Sequence, residues 1–396
     1  MNEPALQAVV GAVREAADRC RPLRIVGGGT KDFYGGGDAA TRRDEVLDVK
    51  PLAGISAYEP TELVVTVRAG TPLTELEAAL AEQGQCLPFE PPHYEDRRPQ
   101  ADALHRLPPE GVGPSGKAAS ARGSTVGGMV AAGLAGPARA TVGGVRDYLL
   151  GATIVNGQGE LLTFGGQVMK NVAGYDVARV MAGSMGTLGV ICEVSLKVLP
   201  QAPAQQSLRF DMDQGNALRH VNEWIAQALP IHASAWWDGA LIVRLAGARA
   251  AVATAAQRLG SQGGEPVDKI LAVSFWAGLR DQRDEFFAQA GEAVAGGARL
   301  WRLSVAATAP KILLPGEQLV EWHGAQRWLV TDLSPAAVRD AAADAMGHAT
   351  VWRGDKSEGA FAPLSPVQAR LQRALKAAFD PLALFNPGRL DNLDTC

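Results

Sequence analysis

The sequence predicts an α+β protein with two domains and a tail that folds back onto the first of them. Through residue 200, helix and strand patterns alternate with glycine-rich stretches. From residue 207 the glycine-rich loops give way to regular helix and strand patterns, which predicts a second α+β domain over 207–350. Segment 351–396 contains an apolar turn near its end, and such a turn is buried only if the tail returns to another domain.

The composition is that of a large folded chain. Its 396 residues suffice for two or three domains at about 150 residues each. Hydrophobic residues make up 47% and charged residues 20% of the chain, which permits a large core. The net charge of -4 and the pI near 5.9 provide no electrostatic footprint for nucleic acid.

The cysteines and the N-terminus predict a cytoplasmic protein. The four cysteines are far apart, which fits neither an iron–sulfur or zinc motif nor a disulfide framework. The first 20 residues lack the basic start and long apolar core of a signal peptide. No apolar run approaches the ~20 residues of a membrane-spanning helix, so any contact with the inner face of the membrane is expected to be peripheral or through a partner.

The first elements lead into a glycine loop. Apolar residues at helical spacing predict a helix over Pro4–Cys20, and Leu23–Val26 reads as a short strand. This strand enters the loop 27–32 (GGGTKD), a sequence typical of a phosphate cradle. It is not a Rossmann fingerprint, because Asp32 stands where that motif needs glycine. A plain turn is the alternative interpretation.

A strand and a helix follow the glycine loop. Glu62–Val67 (ELVVTV) reads as a strand. Thr71 and Pro72 then predict a helix with a threonine N-cap and proline at its first position. Gly84 is a plausible end for this helix. One face of the helix is apolar, formed by Leu73, Leu76 and Leu80.

Residues 95–121 read as an inserted mobile loop, because they are rich in Pro, Arg, Gly and Ala and lack apolar periodicity. Within them, 111–118 nearly matches a P-loop. Ala118 occupies the position where Ser or Thr must hold magnesium, and no apolar strand precedes the motif. Nucleoside triphosphate binding is therefore excluded here.

The stretch 121–200 carries the strongest ligand signal. Its glycine pairs, 127/128 and 143/144, stand among small apolar residues with little charge. Such a run brings the backbone close to a phosphate or a flat ring, and the alternative is a packed, turn-rich core. The stretch also predicts a hairpin around Asn156-Gly157 and a strand over 190–198 with one buried face, including Cys192.

The remaining residues predict regular elements and a terminal turn. After a linker at 201–206, the patterns predict helices near 218–229 and 248–259, a hairpin of 233–237 with 240–246, and strands over 298–306 and 326–330. The histidines lack metal-ligand spacing, so no metal site is predicted. A final helix is capped by Ser365-Pro366, and its expected apolar face is formed by Val367, Leu371, Leu375 and Phe379. The Asn386-Pro387-Gly388 turn follows, and Leu382, Leu384 and Phe385 are expected to bury it.

Several of these phrases together resemble flavoproteins of the vanillyl-alcohol-oxidase (PCMH-type) family. They are GGGTKD after a strand, TVGG, GSMGTLGVICEVSLKVLP and FNPGRL. Over LPFEPPHY, FGGQVMKNVAGYDVARVMAGSMGTLGV, LPGEQLVEW and FNPGRL the chain is similar to the smaller FAD-binding subunits of glycolate oxidases. The resemblance covers nearly the whole chain apart from 95–121. It implies a PCMH-type FAD-binding domain (two α/β subdomains) over 1–200, an α+β cap domain over 207–350, and a tail packed on the FAD site over 351–396.

The resemblance also implies the residues that contact FAD. The first loop wraps the pyrophosphate, the 125–128 run covers the diphosphate and the flavin edge, and the last strand and the tail complete the site. Family members that bind FAD covalently use a histidine in the first loop, where this chain has Thr30 and Lys31, so non-covalent FAD is expected. The implied contacts are Gly27, Gly28, Gly29, Thr30, Lys31, Asp32, Thr125, Val126, Gly127, Gly128, Ala132, Gly133, Gly143, Gly186, Gly189, Ile191 and Asn386.

The function that the resemblance implies is the oxidation of glycolate or a related 2-hydroxy acid within a complex. The implied partners are a paralogous catalytic flavin subunit and an iron–sulfur subunit. Because the chain lacks the HxGDGN-type histidine cluster of the catalytic subunits, a non-catalytic FAD-binding assembly or relay subunit is an alternative. A self-sufficient sugar or aldonolactone oxidoreductase is another. No catalytic residue is assigned; Arg146, Lys170 and Tyr175 are candidates for which a structural role is favoured.

Overall fold

A computed structural model describes residues 3–36, 44–94, 123–166 and 176–390. The predicted 95–121 insertion, with its P-loop-like segment, lies outside the described residues, and so do Lys170 and Tyr175. In the described part of the chain no helix is long and apolar enough to cross a membrane.

The N-terminal helix packs on a two-stranded parallel sheet. Helix α1 (Pro4–Asp18) has proline at its start, where a missing N–H costs nothing, and it buries an apolar stripe. Strands β1 (Leu23–Val26) and β2 (Glu45–Asp48) pair in parallel beside it. The prediction of the first helix and strand is confirmed, and β1 ends where the glycine loop begins.

The first half of the chain then builds a five-stranded antiparallel sheet in the order β3-β4-β8-β6-β7. Helices cover it, and a two-stranded ladder of β5 with β9 stands beside it. In chain order the elements are β3 (Ile55–Glu59), β4 (Val64–Arg68), α2 (Leu73–Glu82), β5 (Gln85–Cys86), α3 (Val126–Ala132), α4 (Arg139–Val142), α5 (Val145–Tyr148), β6 (Leu149–Val155), β7 (Leu161–Gly165), β8 (Val190–Lys197) and β9 (Leu199–Pro200). The predicted hairpin around Asn156 is confirmed as β6 with β7.

Strand β8 is buried on both faces, whereas its alternation predicted only one. Val190 and Cys192 pack with α1, while Ile191 packs in the cluster that contains α2 and α3. Even Ser195 is buried, and its hydroxyl lies 2.9 Å from that of Thr66 on β4. Ser195 of β8 and Thr66 of β4 thus pair across two neighbouring strands. The alternation pattern of one strand does not predict such a contact.

The start of α2 also differs from the prediction. Thr71 is not the N-cap: its hydroxyl donates to the carbonyl of Gly54 and accepts from the N–H of the same residue. The helix begins at Leu73, whose N–H donates to the carbonyl of Ser124 instead. The predicted helix end is confirmed, with Gly84 in the left-handed region at φ 63°.

The second half forms an eight-stranded sheet in the order β13-β10-β12-β11-β15-β16-β14-β17 with helices packed against it. The 201–206 linker is shorter than predicted, because β10 begins at Ala204. The predicted hairpin is confirmed, with Asp238 and Gly239 at positive φ in its turn. The elements are β10 (Ala204–Asp211), α6 (Gln214–Ala226), β11 (Ile231–Trp237), β12 (Ala240–Gly247), α7 (Arg249–Gly260), β13 (Glu265–Pro266), α8 (Lys269–Asp281), α9 (Glu285–Ala295), β14 (Arg299–Ser304), β15 (Glu317–Glu321), β16 (Gln326–Thr331), α10 (Pro335–Asp344) and β17 (His348–Arg353).

The tail returns to the N-terminal sheet as predicted. Helix α11 (Pro366–Phe379) begins with a capping box on Ser365. Beyond it, Leu23 of β1 donates to the carbonyl of Leu384 and accepts from the N–H of Asn386. Phe385 is fully buried in the cluster that contains α1.

The apolar side chains of the tail are less buried than predicted. Val367 and Leu371 on α11 are each 57% exposed, and Leu382 in the following turn is 50% exposed. Leu375 and Phe379 do pack against the five-stranded sheet's core. The helix therefore contacts the sheet along only part of the stripe that its spacing defines.

Polar contacts join the two sheets. Glu90 accepts two hydrogen bonds from Arg244, at 2.7 and 2.8 Å, and one from the N–H of Ala138. The indole of Trp322 donates to the carbonyl of Gly136 at 3.0 Å. The segment that leads into α4 thus lies between the two sheets. The boundary between domains at residues 200–207 stays a prediction.

Candidate functional site

A cavity opens where the glycine loop, α3, the end of the 185–191 segment and the tail meet. It comprises about 1020 Å³ of space, counting the solvent at its mouth. Of the predicted FAD contacts, the structure brings to its wall Gly27, Gly28, Gly29, Thr30, Lys31, Asp32, Thr125, Gly127, Gly128, Ala132, Gly186, Gly189, Ile191 and Asn386.

The glycine loop is shaped by close backbone contact. A Cβ at Gly28 would lie 1.7 Å from the carbonyl oxygen of Gly123, and one at Gly27 would lie 2.3 Å from Oγ1 of Thr125. Glycine is therefore needed at both positions for steric reasons. Within the described part of the chain, the N–H groups of residues 28–32 donate no hydrogen bond. Unpaired N–H groups of a loop are what an anionic ligand requires.

Cationic side chains surround the loop. Lys31 lies against Ser124, with 2.9 Å between Nζ and Oγ, and Arg24 pairs with Asp32 at 3.1 Å. Arg389 of the tail donates to the carbonyls of Lys31 and Asp32. Burial lowers the pKa of Lys31 to about 8, because the ammonium form loses hydration in the cavity wall. A neighbouring anion would restore that form.

The opposite wall consists of small residues. Gly127 is packed so tightly that a Cβ would lie 2.6 Å from that of Ala69. Gly128 follows it and donates its N–H to Oγ1 of Thr125, the N-cap of α3. Ala131 and Ala132 complete this side. No long side chain projects from it, so it can accept a flat ring.

Asn386 closes the wall from the tail. Its Oδ1 accepts from the N–H of Ile25 at 2.9 Å, and its Nδ2 donates to the carbonyl of Met185 at 2.7 Å. Asparagine tolerates the left-handed backbone at this position, where φ is 42°. Because both ends of the amide are engaged with the protein, Asn386 joins β1 to the 185–191 segment.

Three predicted contacts lie away from the cavity wall. Val126 is fully buried in the core of the five-stranded sheet. Gly133 ends α3 at φ 63°, and a Cβ there would lie 2.9 Å from Gly183. A Cβ at Gly143 would lie 2.7 Å from Oδ2 of Asp147. Close contact with backbone at Gly133 and with a side chain at Gly143 explains the two glycines, and the sequence pattern does not separate such packing from ligand contact.

Sequence reasoning missed several lining residues. Arg24, Tyr34, Met185 and Arg389 all line the cavity. Arg389 stands within the FNPGRL phrase and could have been assigned from it. The others carry no local signal, because their position depends on how distant segments meet. Among the candidates for catalysis, Arg146 is exposed on α5 and does not line the cavity.

The family described as FAD binding domain matches residues 5–96, which include the glycine loop. The cavity fits that cofactor, because it offers unpaired N–H groups and cations for a pyrophosphate beside a wall of small residues. The fold agrees: p-cresol methylhydroxylase with substrate bound superposes with a TM-score of 0.65 at 15% identity, over 99% of this chain and 88% of that one. An alkyldihydroxyacetonephosphate synthase superposes with a TM-score of 0.60 over 96% and 74%. The chain is thus an FAD-dependent oxidoreductase with the PCMH-type fold.

Sequence comparison narrows this class. The glycolate oxidase subunit GlcE of Escherichia coli (strain K12) is 42% identical over 384 residues, 97% of each chain. The chain belongs to the family of this subunit. The glycolate oxidase subunit GlcD of Bacillus subtilis (strain 168) is 27% identical over 173 residues, which are 44% of this chain and 31% of that protein.

Proposed function

We propose that this chain is the FAD-binding subunit of a complex that oxidises glycolate to glyoxylate and passes the electrons to a partner subunit. The observation that carries the proposal is the 42% identity to the E. coli GlcE subunit over almost the full length of both chains. Bound FAD supplies the redox chemistry by accepting a hydride from the α-carbon. The hydroxyl proton must leave to a base.

The residues around the cavity have distinct roles in holding the cofactor. The N–H groups of 28–32 would bind the pyrophosphate, with Lys31 and Arg24 supplying positive charge. The glycine and alanine side of α3 would accept the flat ring. In the described residues, neither histidine nor cysteine lines this cavity. This supports the prediction of non-covalent FAD.

The proposed partners are a paralogous catalytic flavin subunit and an iron–sulfur subunit. The similarity to the B. subtilis GlcD subunit over 173 residues supports the first. The second is needed because the four cysteines of the chain are too dispersed in sequence to ligate a cluster, so a one-electron carrier has to come from elsewhere. Contact with the membrane would occur through this complex.

A second candidate is a non-catalytic assembly or relay subunit. It is favoured by the absence from the sequence of an HxGDGN-type histidine cluster. In this case the cavity holds FAD, but glycolate is oxidised on the paralogous partner. The two candidates differ in whether the isolated chain reduces its flavin.

An anaerobic absorption spectrum of the purified chain tests both. Glycolate is added first to the chain alone and then to the chain with its partner subunits, and the flavin is extracted afterwards. Bleaching in the isolated chain supports the first candidate, and bleaching only with partners supports the second. If the chain carries and binds no flavin, or if the assembled complex leaves glycolate unoxidised, the proposal is wrong.

A further inference from the structure

A second, smaller cavity lies between the eight-stranded sheet and the segment that precedes α4. It comprises about 300 Å³ of space, counting the solvent at its mouth. One side is formed by Tyr94 and by residues 134–137. The other side is one face of the sheet. The FAD cavity is adjacent: Lys31 lines that cavity, and its Nζ lies 5.7 Å from the centre of the Tyr94 ring.

Strand register brings the polar groups of the sheet face together. Arg302 on β14 pairs with Trp328 on β16, and Gln326 stands two residues before Trp328 on the same face. In the β15–β16 hairpin, Glu321 is the direct partner of Gln326. The same face carries Trp352 of β17 and the smaller polar side chains of Ser304 and Thr350, which pair with Gln326 and Arg302 in the ladder. Three polar side chains from three neighbouring strands therefore meet on an aromatic surface.

Arg302 is the unpaired cation of this cavity. Its guanidinium lies over the rings of Trp322 and Trp352, at 5.8 and 5.2 Å from their centres. Among the described residues, it makes neither a hydrogen bond nor an ion pair. A guanidinium carries five N–H donors, and leaving them unmatched against an apolar face costs stability. Its placement calls for an acceptor beyond the hydrogen-bond partners that the described residues provide.

Tyr94 supplies a second unmatched donor. The side chain is only 9% exposed, and its hydroxyl has no hydrogen-bond partner in the described part of the chain. Its ring is fixed by edge contact with Phe33, 5.5 Å between centres. A buried hydroxyl normally finds a partner. This one faces a cavity that also contains an unpaired arginine.

The other polar groups around the cavity already have partners. Gln326 and Trp328 both donate to Oε2 of Glu321, at 2.9 and 2.6 Å. The indole of Trp352 donates to Gln282 at 2.9 Å. Arg280 forms a two-point pair with its neighbour Asp281. Among the described residues that line the cavity, the unmatched groups are thus the guanidinium of Arg302 and the hydroxyl of Tyr94, and both can donate.

We propose that this cavity binds the carboxylate of a small organic acid, with Arg302 donating two parallel N–H groups and Tyr94 donating its O–H. A planar carboxylate matches the fork of an arginine, and the small size of the cavity favours a small acid. The identification of the acid as a 2-hydroxy acid such as glycolate rests on the proposed function. The position beside Lys31 would place such an acid next to the FAD cavity.

The test is titration of the FAD-loaded full-length chain with glycolate, acetate and the uncharged analogue ethylene glycol. Binding is followed by calorimetry and by the difference spectrum of the flavin under anaerobic conditions. We expect saturable binding of both acids but not of ethylene glycol. Arg302→Gln should weaken binding by about 10- to 100-fold, since it removes a charged two-point interaction. Tyr94→Phe should weaken it by about 3- to 10-fold, since it removes one hydroxyl.

A matched control is Arg139→Gln. Arg139 also lies over the ring of Trp322, at 4.7 Å, but it does not line the cavity. We expect this variant to bind the acids as the unchanged chain does. If all three variants weaken binding equally, the effect is one of general charge and the assignment to Arg302 fails. Tyr94→Phe removes a single oxygen atom, so it tests the site even if Arg302→Gln does not fold.

The outcomes separate this proposal from the proposed function. Binding of acetate and glycolate that depends on Arg302, without flavin reduction by glycolate, supports the carboxylate site and removes catalysis from this chain. Flavin reduction by glycolate with an unchanged KM in Arg302→Gln supports catalysis and overturns the carboxylate site. Absence of saturable acid binding to the unchanged chain also overturns the site.

Discussion

At the scale of single residues, burial shifts the pKa of several ionisable side chains, among them Lys31 and Glu321. Lys31 is buried in the wall of the cavity that we propose holds FAD, and Glu321 is buried on the sheet face of the second cavity. Each keeps polar neighbours, but neither forms an ion pair within the described residues. A change in the protonation of Lys31 therefore reports on ligand binding, and a change in the protonation of Glu321 reports on folding.

Lys31 predicts uptake of a proton when FAD binds. Without an anion its pKa is lowered to about 8, so at pH 9 most of the side chain is neutral. The pyrophosphate favours the charged form and raises the pKa, and the side chain then takes up about one proton at pH 9. Calorimetry of FAD binding to apoprotein in two buffers of different ionisation enthalpy measures this. Lys31→Met should abolish the difference, whereas the exposed Lys269→Met should keep it. Equal enthalpies for the unchanged chain would contradict the assignment.

Glu321 predicts a loss of stability as pH rises. Burial raises its pKa to about 7, against the hydrogen bonds from Trp328 and Gln326, while the unfolded chain ionises near 4.5. Between these values the folded state holds the extra proton, so stability falls as pH increases toward 7 and stays low above it. Relative to Glu321→Gln, the unchanged chain should lose roughly 2 to 3 kcal/mol of unfolding free energy between pH 5 and pH 8. Urea denaturation at both values checks this, and a pH-independent difference would refute it.

At the scale of elements, two segments that are distant in sequence make close backbone contacts with β1 and the loop that follows it. The glycine loop leaves β1 against the backbone of residues 123–124, and the tail turn hydrogen-bonds to Leu23 on β1 itself. Both contacts depend on close approach of one main chain to another. Small changes in either segment should therefore alter FAD retention more than overall folding.

Gly28→Ala is expected to remove FAD from the purified chain. The new Cβ would lie 1.7 Å from the carbonyl of Gly123, so the loop must shift and its N–H groups lose their alignment. We expect flavin content to fall by about tenfold or more. Gly123→Ala is the matched control, because nothing lies within 4 Å of a Cβ there. The flavin-to-protein absorbance ratio of each purified variant measures how much FAD it retains. Normal flavin content in Gly28→Ala would contradict the prediction, because the loop would then accommodate the side chain.

Lys376→Met is expected to release the tail. Nζ of Lys376 donates to Asp380 at 2.8 Å and to the carbonyls of Thr187 and Phe385, at 2.8 and 3.1 Å. Asp380 is only 1% exposed and would keep the N–H groups of Leu384 and Phe385 but lose its cation, so the variant leaves a buried charge without a counter-charge and costs about 3 to 5 kcal/mol. Thermal unfolding and limited proteolysis near residue 380 measure this. Arg373→Met, an exposed change on the same helix, should leave both unchanged.

At the scale of the whole molecule, the smaller cavity lies where the two sheets contact each other, and the larger lies where the glycine loop, α3 and the tail meet. The larger is built from the first half and the tail, and the smaller from the first half and the second sheet. Glu90, held by Arg244 of β12, lies at this junction. The relative position of the two cavities depends on such contacts.

Glu90→Gln is expected to loosen the junction. Arg244 is 5% exposed and would lose its charged partner, although Glu90 itself keeps some contact with solvent. We expect a loss of about 2 kcal/mol in unfolding free energy, less than for a fully buried pair. Urea denaturation compared with the exposed variant Glu59→Gln measures it. If the unfolding free energy of Glu90→Gln equals that of the unchanged chain, the charge of Glu90 does not stabilise Arg244. Its guanidinium, 4.9 Å from the centre of the Trp276 ring, is then held by that ring.

What the sequence determined by itself is local. Hydrophobic spacing and turn residues identified α1, β1, both hairpins and α11. Most of the FAD contacts that the family resemblance implied line one cavity, and their contact with FAD stays a prediction. These features depend on residues close in sequence, where steric and hydrogen-bonding preferences act directly.

Only the tertiary structure decided which distant residues share a surface. In the structure Ser195 is buried beside Thr66, and the hydroxyl of Thr71 donates to the carbonyl of Gly54. Val126 and Gly133 pack in the protein interior and do not line the cavity. The tertiary structure also set Arg302 and Tyr94 around one cavity, although 208 positions separate them in the chain. Sheet register and the meeting of separate elements set these contacts, and the pattern of a single segment carries no information about its neighbours in space.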